Sequence, residues 1–214
     1  MTRVKTCGVT SLDDARRCVE LGAWAIGLIF WPDSPRACRI EDAEQIASAL
    51  RRRVEVAGVF VNAPLDDVAA TADRAGLTLL QLHGDEGPVY CAEAARRTGC
   101  KVMKAIRVRD ASQLKALRAF HTDYHLLDAY VPGSRGGTGE SFNWELARLH
   151  EGAAEVVLSG GLTADNVGDA IALARPFAVD SASGTEASPG RKDPRRLEAF
   201  FRAVEAADRV HAPA

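Results

Sequence analysis

Eight short apolar runs recur along the chain, each followed by an amphipathic, Ala- and Arg-rich run. The apolar runs fall at residues 2–8, 24–30, 54–61, 78–82, 102–106, 124–128, 155–158 and 177–179. The second, Trp24-Ala25-Ile26-Gly27-Leu28-Ile29-Phe30, is apolar at every position. Continuous runs of this kind suit strands buried on both faces, which a parallel sheet covered by helices requires. The intervening runs predict helices over 11–21, 41–52, 64–75, 87–98, 111–120, 144–149, 164–174 and 194–206. Ser11 and Asp110 stand where N-caps belong, Pro64 at a helix start and Gly22 at a helix stop. Alternating strands and helices imply parallel pairing with right-handed crossovers. Eight units, about 25 residues each, imply an α/β chain closed into a single-domain (β/α)8 TIM barrel over 1–207, with 208–214 as a frayed tail. The competing fold is an open doubly wound sheet, but no G-x-G-x-x-G follows the first strand.

Bulk properties exclude several functions. The 214 residues carry a formal net charge of −2, which argues against nonspecific binding to nucleic acid or to an anionic membrane. Cysteines at 7, 18, 38, 91 and 100 form an odd set without a C-x-x-C pair, so neither a disulfide framework nor a zinc knuckle is expected. No apolar run approaches the length of a membrane span, and no long apolar segment precedes the first strand. A cytoplasmic chain with reduced thiols is the expectation. No apolar helix face declares an interface, so a monomer is expected.

In a barrel of this kind the site lies at the C-terminal ends of the strands. Those ends carry Cys7, Arg36 after the second strand, Gln81-Leu82-His83-Gly84, Asp128, Gly160-Gly161, and Asp180 with Ser183-Gly184. Gly160-Gly161 and the Ser183-Gly184 loop allow backbone amides close approach to an anion, an arrangement that binds phosphate between the last two loops of many barrels. Asp128 ends an apolar strand with no helix immediately after it, which weakens a capping role and favours an acid. Cys7 is either a small buried hydrophobe or, facing a strand-end carboxyl, a thiolate base or nucleophile. Arg36 follows Pro32 and Pro35, which stiffen its loop, and is suited to grip a planar carboxylate, with Arg39 as its local competitor. His83 either donates a hydrogen bond in the site or caps the barrel. Cys18, Cys91 and Cys100 read as packing residues, and Cys38 has no assigned role. The glycine-rich loop 133–139 lacks the lysine of a nucleotide cradle and reads as a lid or turn. No H-x-H or H-E-x-x-H pattern occurs, so no metal is called for.

Taken in order, Lys5-Thr6-Cys7-Gly8, Ser34-Pro35-Arg36, Gln81-Leu82-His83-Gly84, Leu126-Leu127-Asp128, Gly136-Gly137-Thr138-Gly139, Ser159-Gly160-Gly161-Leu162 and Asp180 through Ser183-Gly184 resemble the phosphoribosylanthranilate isomerase family. The resemblance spans nearly the whole chain. It implies a TIM barrel of tryptophan biosynthesis that uses no cofactor and takes a small phosphorylated substrate. It further implies an Amadori rearrangement of N-(5-phosphoribosyl)anthranilate, with Asp128 as acid, Cys7 as base and Arg36 on the anthranilate carboxylate. The substrate-binding set it suggests is Arg36, His83, Gly160, Gly161, Asp180, Ser183 and Gly184. The chain departs from the family's D-x-S-S-G-x-E pattern at Ala182, which leaves Ser183 and backbone amides as phosphate donors. Two other readings compete with this one. Another phosphosugar barrel would show a strand-1 Asp or a Lys/Glu pair, and a catalytically silent barrel could dispense with Cys7, Asp128 and Arg36.

Overall fold

In the computed structural model, which describes residues 1–50, 52–129 and 144–210, each of the eight apolar runs forms a strand. These are β1 (Arg3–Cys7), β2 (Ala25–Ile29), β3 (Glu55–Phe60), β4 (Leu79–Leu82), β5 (Lys101–Val108), β6 (Tyr124–Ala129), β7 (Glu155–Ser159) and β8 (Ala178–Ser181). They pair in parallel in chain order, and β1 pairs with β8 to close the barrel. The closing register sets Lys5 beside Asp180, and the β1–β2 register sets Cys7 beside Gly27.

The two faces of each strand explain the continuous apolar runs. Outward residues such as Val4, Ile26, Leu28, Leu80, Leu127 and Val179 pack beneath the helices. Inward residues form a separate cluster of Ala57, Leu79, Met103, Ala105, Leu126, Val157 and Ala178. An aromatic group is packed against this inner cluster. Trp24 meets Tyr124 and Phe177 edge-on, with ring centroids 5.1 and 5.2 Å away. Both faces are therefore dry, and neither can alternate with polar residues along most of its length.

The helices are α1 (Leu12–Glu20), α2 (Ile40–Leu50), α3 (Leu65–Ala75), α4 (Pro88–Thr98), α5 (Ala111–Ala116), α6 (Val167–Ala174) and α7 (Pro194–Val210). Ser11 Oγ accepts from the Asp14 amide, and Asp110 forms a reciprocal capping box with Gln113. Three helical expectations need correction. The run after β5 is α-helical only to Ala116 and finishes as a 3₁₀ turn, Leu117–Ala119. α6 begins at Val167 rather than 164, because Asn166 Oδ1 accepts from the Thr163 amide and holds the preceding residues in a turn. The last helix does not stop at 206. It continues to Val210, and the Asp208 carboxylate accepts from the amide and hydroxyl of Thr2 at 2.6 and 2.7 Å, anchoring the final turn to the chain's start. Of the expected tail, only 211–214 lies outside the described residues, as does the glycine-rich loop 133–139. The described part of the sixth crossover is a 3₁₀ helix, Trp144–Leu149.

After β8 the chain makes a 3₁₀ turn, Ser183–Thr185, as the Ser-Gly-Thr run suggests. An antiparallel ribbon of β9 (Glu186–Ser188) and β10 (Arg191–Lys192) then replaces the expected plain loop. This ribbon returns the chain towards the end of β1.

Candidate active site

A cavity of about 240 Å³ opens at the C-terminal ends of the strands. Cys7, Arg36, His83, Asp128, Gly160, Gly161, Asp180 and Ser183 all line it. Eight of the nine residues selected from the sequence thus converge on one space. Gly184 is not among the lining residues. A Cβ built on it would lie 2.0 Å from the Leu162 carbonyl oxygen and 2.8 Å from Ser181 Oγ. Its small size lets the loop after β8 pack against the loop after β7, an approach fastened where Ser181 Oγ donates to Leu162 O at 2.8 Å. Gly160 and Gly161 both have positive φ, +98° and +65°, a backbone that residues with side chains rarely adopt.

Cys7 ends β1 in a fully buried setting beside two lysines. Lys5, two residues earlier on the same face of the strand, is wholly buried and its Nζ donates to Asp180 Oδ1 at 3.0 Å. Burial acts against the Lys5 charge, but the Asp180 carboxylate and then Cys7 outweigh it, so the net direction for Lys5 is upward. Burial pushes the Cys7 thiol up, against the downward pull of Lys5 and, more weakly, Lys192. Lys192 Nζ donates to the Cys7 carbonyl at 2.6 Å and to Ala182 O at 3.1 Å, tying the β9–β10 ribbon to the end of β1. Asp180 lines the cavity with its Oδ1 accepting from Lys5 Nζ. A carboxylate in that pair orients a cation and does not attract an anion.

Asp128 stands three strands away around the barrel, on β6. His83 Nε2 lies 3.5 Å from its Oδ2. The other ring nitrogen, Nδ1, is 3.1 Å from the amide nitrogen of Gln81, which is buried. With that amide donating, the imidazole carries its proton on Nε2, facing the carboxyl group. His83 is therefore both a cavity wall and the neighbour of the candidate acid.

The fixed geometry of Arg36 has a source other than its prolines. Glu186, buried on β9, accepts from Arg36 Nε at 2.9 Å and takes Nη2 at 2.8 Å. This forked pairing aims a planar group with little freedom left. Arg39, the competitor, is exposed and sits near Glu41 and Asp42 at 3.6 and 3.7 Å. Four residues of this region carried no assigned role in the sequence: Lys5, Gln81, Glu186 and Lys192. A signal existed for Lys5 and Gln81, since each lies two residues before a selected strand-end residue and so shares its inward face. Glu186 stands at the acidic end of the D-x-S-S-G-x-E pattern, but nothing local to it or to Lys192 records a partner as distant along the chain as Arg36 or Cys7.

The remaining thiols stand apart from this chemistry. Burial pushes Cys18 and Cys91 up to about 11 and Cys38 up to about 12, as expected of small apolar fillers. Among the described residues no three His, Cys, Asp or Glu side chains gather into a metal site. No helix among them is long and apolar enough to cross a membrane.

A closed parallel barrel with a polar cavity at the C-terminal mouth, bounded by glycine loops after β7 and β8, defines a (β/α)8-barrel enzyme site. The family model for N-(5'-phosphoribosyl)anthranilate isomerase matches residues 4–203. The chain belongs to that family. It is 51% identical over 197 residues to the N-(5'-phosphoribosyl)anthranilate isomerase of Citrifermentans bemidjiense, covering 92% of this chain and 94% of that one. The crystal structure of phosphoribosyl anthranilate isomerase from Thermotoga maritima superposes with a TM-score of 0.85 at 39% identity, covering 96% of this chain and all of that one. A further solved isomerase, in complex with reduced 1-(o-carboxyphenylamino)-1-deoxyribulose 5-phosphate, superposes at 0.82 with 36% identity, covering 96% of this chain and 100% of that one.

Proposed function

We propose that the chain converts N-(5'-phosphoribosyl)anthranilate to 1-(2-carboxyphenylamino)-1-deoxyribulose 5-phosphate, the isomerisation of tryptophan biosynthesis, with Asp128 as general acid and Cys7 as general base. The observation that carries this reading is the cavity itself. A carboxyl group and a thiol from different strands face one space, with a guanidinium and paired glycines on its walls. The relatives' names supply the substrate.

The chemistry follows from charge and position. Asp128 gives its proton to the furanose ring oxygen while the anilino nitrogen lone pair opens the ring to a Schiff base. His83 Nε2–H, close to Oδ2, steadies the carboxylate left behind. Cys7, as thiolate, removes the proton from C2, and the electrons move towards the iminium nitrogen to give the enolamine. The balance closes when C1 gains a proton and O2–H loses one, yielding the ketone. No electron leaves or enters the substrate, so the step needs no redox partner. The substrate phosphate accepts from amides of Gly160 and Gly161 and from Ser183. Glu186 occupies Nε and Nη2 of Arg36 and leaves Nη1 to meet the anthranilate carboxylate.

The test is loss of anthranilate-adduct fluorescence under Cys7→Ala and Asp128→Asn. Each variant is expected to lose kcat by about 10²–10⁴-fold, the usual contribution of one positioned acid or base. Turnover close to that of the unaltered chain in either variant, with the fold retained, would remove that residue from its role.

A further inference from the structure

Resting on the isomerase reading, we propose that Lys5 is a positioning residue that makes Cys7 a competent base, with Asp180 holding its ammonium in place and Gly27 providing the space in which ammonium and thiol meet. Lys5 does not line the cavity, so it reaches the reaction only through Cys7.

Three observations carry this. First, a lysine with no exposed surface inside a barrel is costly unless its charge is matched, and Asp180 matches it at 3.0 Å from the neighbouring strand position. An apolar residue at position 5 would fill the interior without that cost, so packing alone does not account for the pair. Second, β2 lacks a side chain beside Cys7. A Cβ on Gly27 would lie 2.7 Å from Cys7 Sγ and 3.1 Å from Lys5 Nζ. Both atoms therefore border the space that a side chain there would fill, and an alanine would drive into the sulfur. Third, a buried thiolate needs a cation nearby if it is to form at all. The charged groups around Cys7 are Lys5 on its own strand, Asp180 on β8 and Lys192 on β10. Arg36, His83 and Asp128 border the same cavity. Lys192 Nζ is bound to the Cys7 carbonyl, while Lys5 Nζ and Cys7 Sγ border the same space beside Gly27. Lys5 is the cation placed to favour the thiolate.

The experiment compares the full-length chain with Lys5→Met/Asp180→Asn and with Gly27→Ala. The double variant removes both charges, so that no lone buried carboxylate is left to unfold the barrel. Circular dichroism confirms that each variant is folded. Iodoacetamide labelling of the Cys7 peptide, followed by mass spectrometry across pH, reads the thiolate directly. Its midpoint is expected to rise by about one pH unit or more in the double variant. Gly27→Ala, which parts sulfur from ammonium with both charges present, is expected to shift the midpoint in the same direction. At neutral pH the double variant is expected to lose kcat by about tenfold or more, recovering as pH rises, with KM little changed.

A folded double variant with the labelling midpoint and kcat–pH profile of the unaltered chain would overturn the inference. An unmoved midpoint in Gly27→Ala would overturn the part assigned to Gly27. Labelling needs no turnover, so the two readings separate. A shifted midpoint in a chain whose unaltered form has no isomerase activity leaves the inference standing and overturns the reaction. An active isomerase with an unmoved midpoint overturns the inference alone.

Discussion

The inside of the barrel divides into two layers built on the same strands. Below the mouth, Leu79, Met103, Leu126, Val157 and Ala178 pack against one another, with Trp24, Tyr124 and Phe177 among them. At the next inward positions stand Gln81 after Leu79, Asp128 after Leu126, Ser159 after Val157 and Asp180 after Ala178. Two residues along a strand thus carry the interior from dry packing to a polar cavity. The lower layer gains stability from apolar burial. The upper layer forgoes it, and its charges persist only because each is paired, Lys5 with Asp180 and Arg36 with Glu186. A change in the lower layer should therefore move stability, and one in the upper layer should move chemistry.

The sharpest way to break this division lies on β6. Asp128→Asn is expected to cut kcat by about 10²–10⁴-fold with an unfolding midpoint near that of the unaltered chain. Leu126→Ala, two residues away and wholly buried, is expected to cost about 2–5 kcal/mol in denaturant unfolding while each folded molecule keeps most of its activity. Exchanged outcomes would show that the layers are not separable.

Arg36→Ala comes next. It removes the charge proposed to meet the substrate carboxylate and is expected to raise KM by about 10–100-fold, roughly 1.5–3 kcal/mol of charge-assisted hydrogen bonding. A KM within twofold of the unaltered value in steady-state assays would assign the carboxylate contact elsewhere.

The third test concerns the outer face of the same strand. His125 is buried between β6 and the 3₁₀ helix, with its Nδ1 2.7 Å from His150 Nε2. Burial, then the neighbouring imidazole, lowers it from its ordinary value of 6.5 to about 4. The folded state thus resists a proton that the unfolded state accepts. Above pH 6.5 both states are neutral and nothing is lost. As pH falls from 6.5 towards 4 the unfolded state binds more protons and stability declines, by up to about 3 kcal/mol from this group. Denaturant titrations at both ends of that window are expected to show a smaller decline in His125→Gln. An identical decline in the variant would show that His125 is not the group that titrates.

The smallest effect is expected at Arg39. It is exposed, and its ion pairs are long. Arg39→Ala should leave KM unchanged and shift stability by no more than about 0.5 kcal/mol. A KM increase matching that of Arg36→Ala would overturn the distinction between the two arginines.

Much of this was legible along the chain. Leu126-Leu127-Asp128 shows the step from core to site within three letters, and Trp24 to Phe30 shows a strand covered on both faces. The end of α7 was not legible, because Asp208 finds its anchor at Thr2, at the other end of the chain. Nothing in Phe177-Ala178-Val179-Asp180 records that Lys5 is the register neighbour of Asp180. The proline-stiffened loop before Arg36 did not show that Glu186 holds the guanidinium.

The chain by itself determined the barrel, the order of its strands and the face on which the site opens. Each of these follows from a local period repeated eight times, and burial on both faces writes that period into neighbouring residues. Only closure of the barrel decided how the site is charged. The pairs Lys5–Asp180 and Arg36–Glu186, and the bond from Lys192 to the Cys7 carbonyl, join residues from opposite parts of the chain. Such pairs depend on register and on the meeting of β1 with β8. An ionic contact across that seam leaves no periodic trace on either side.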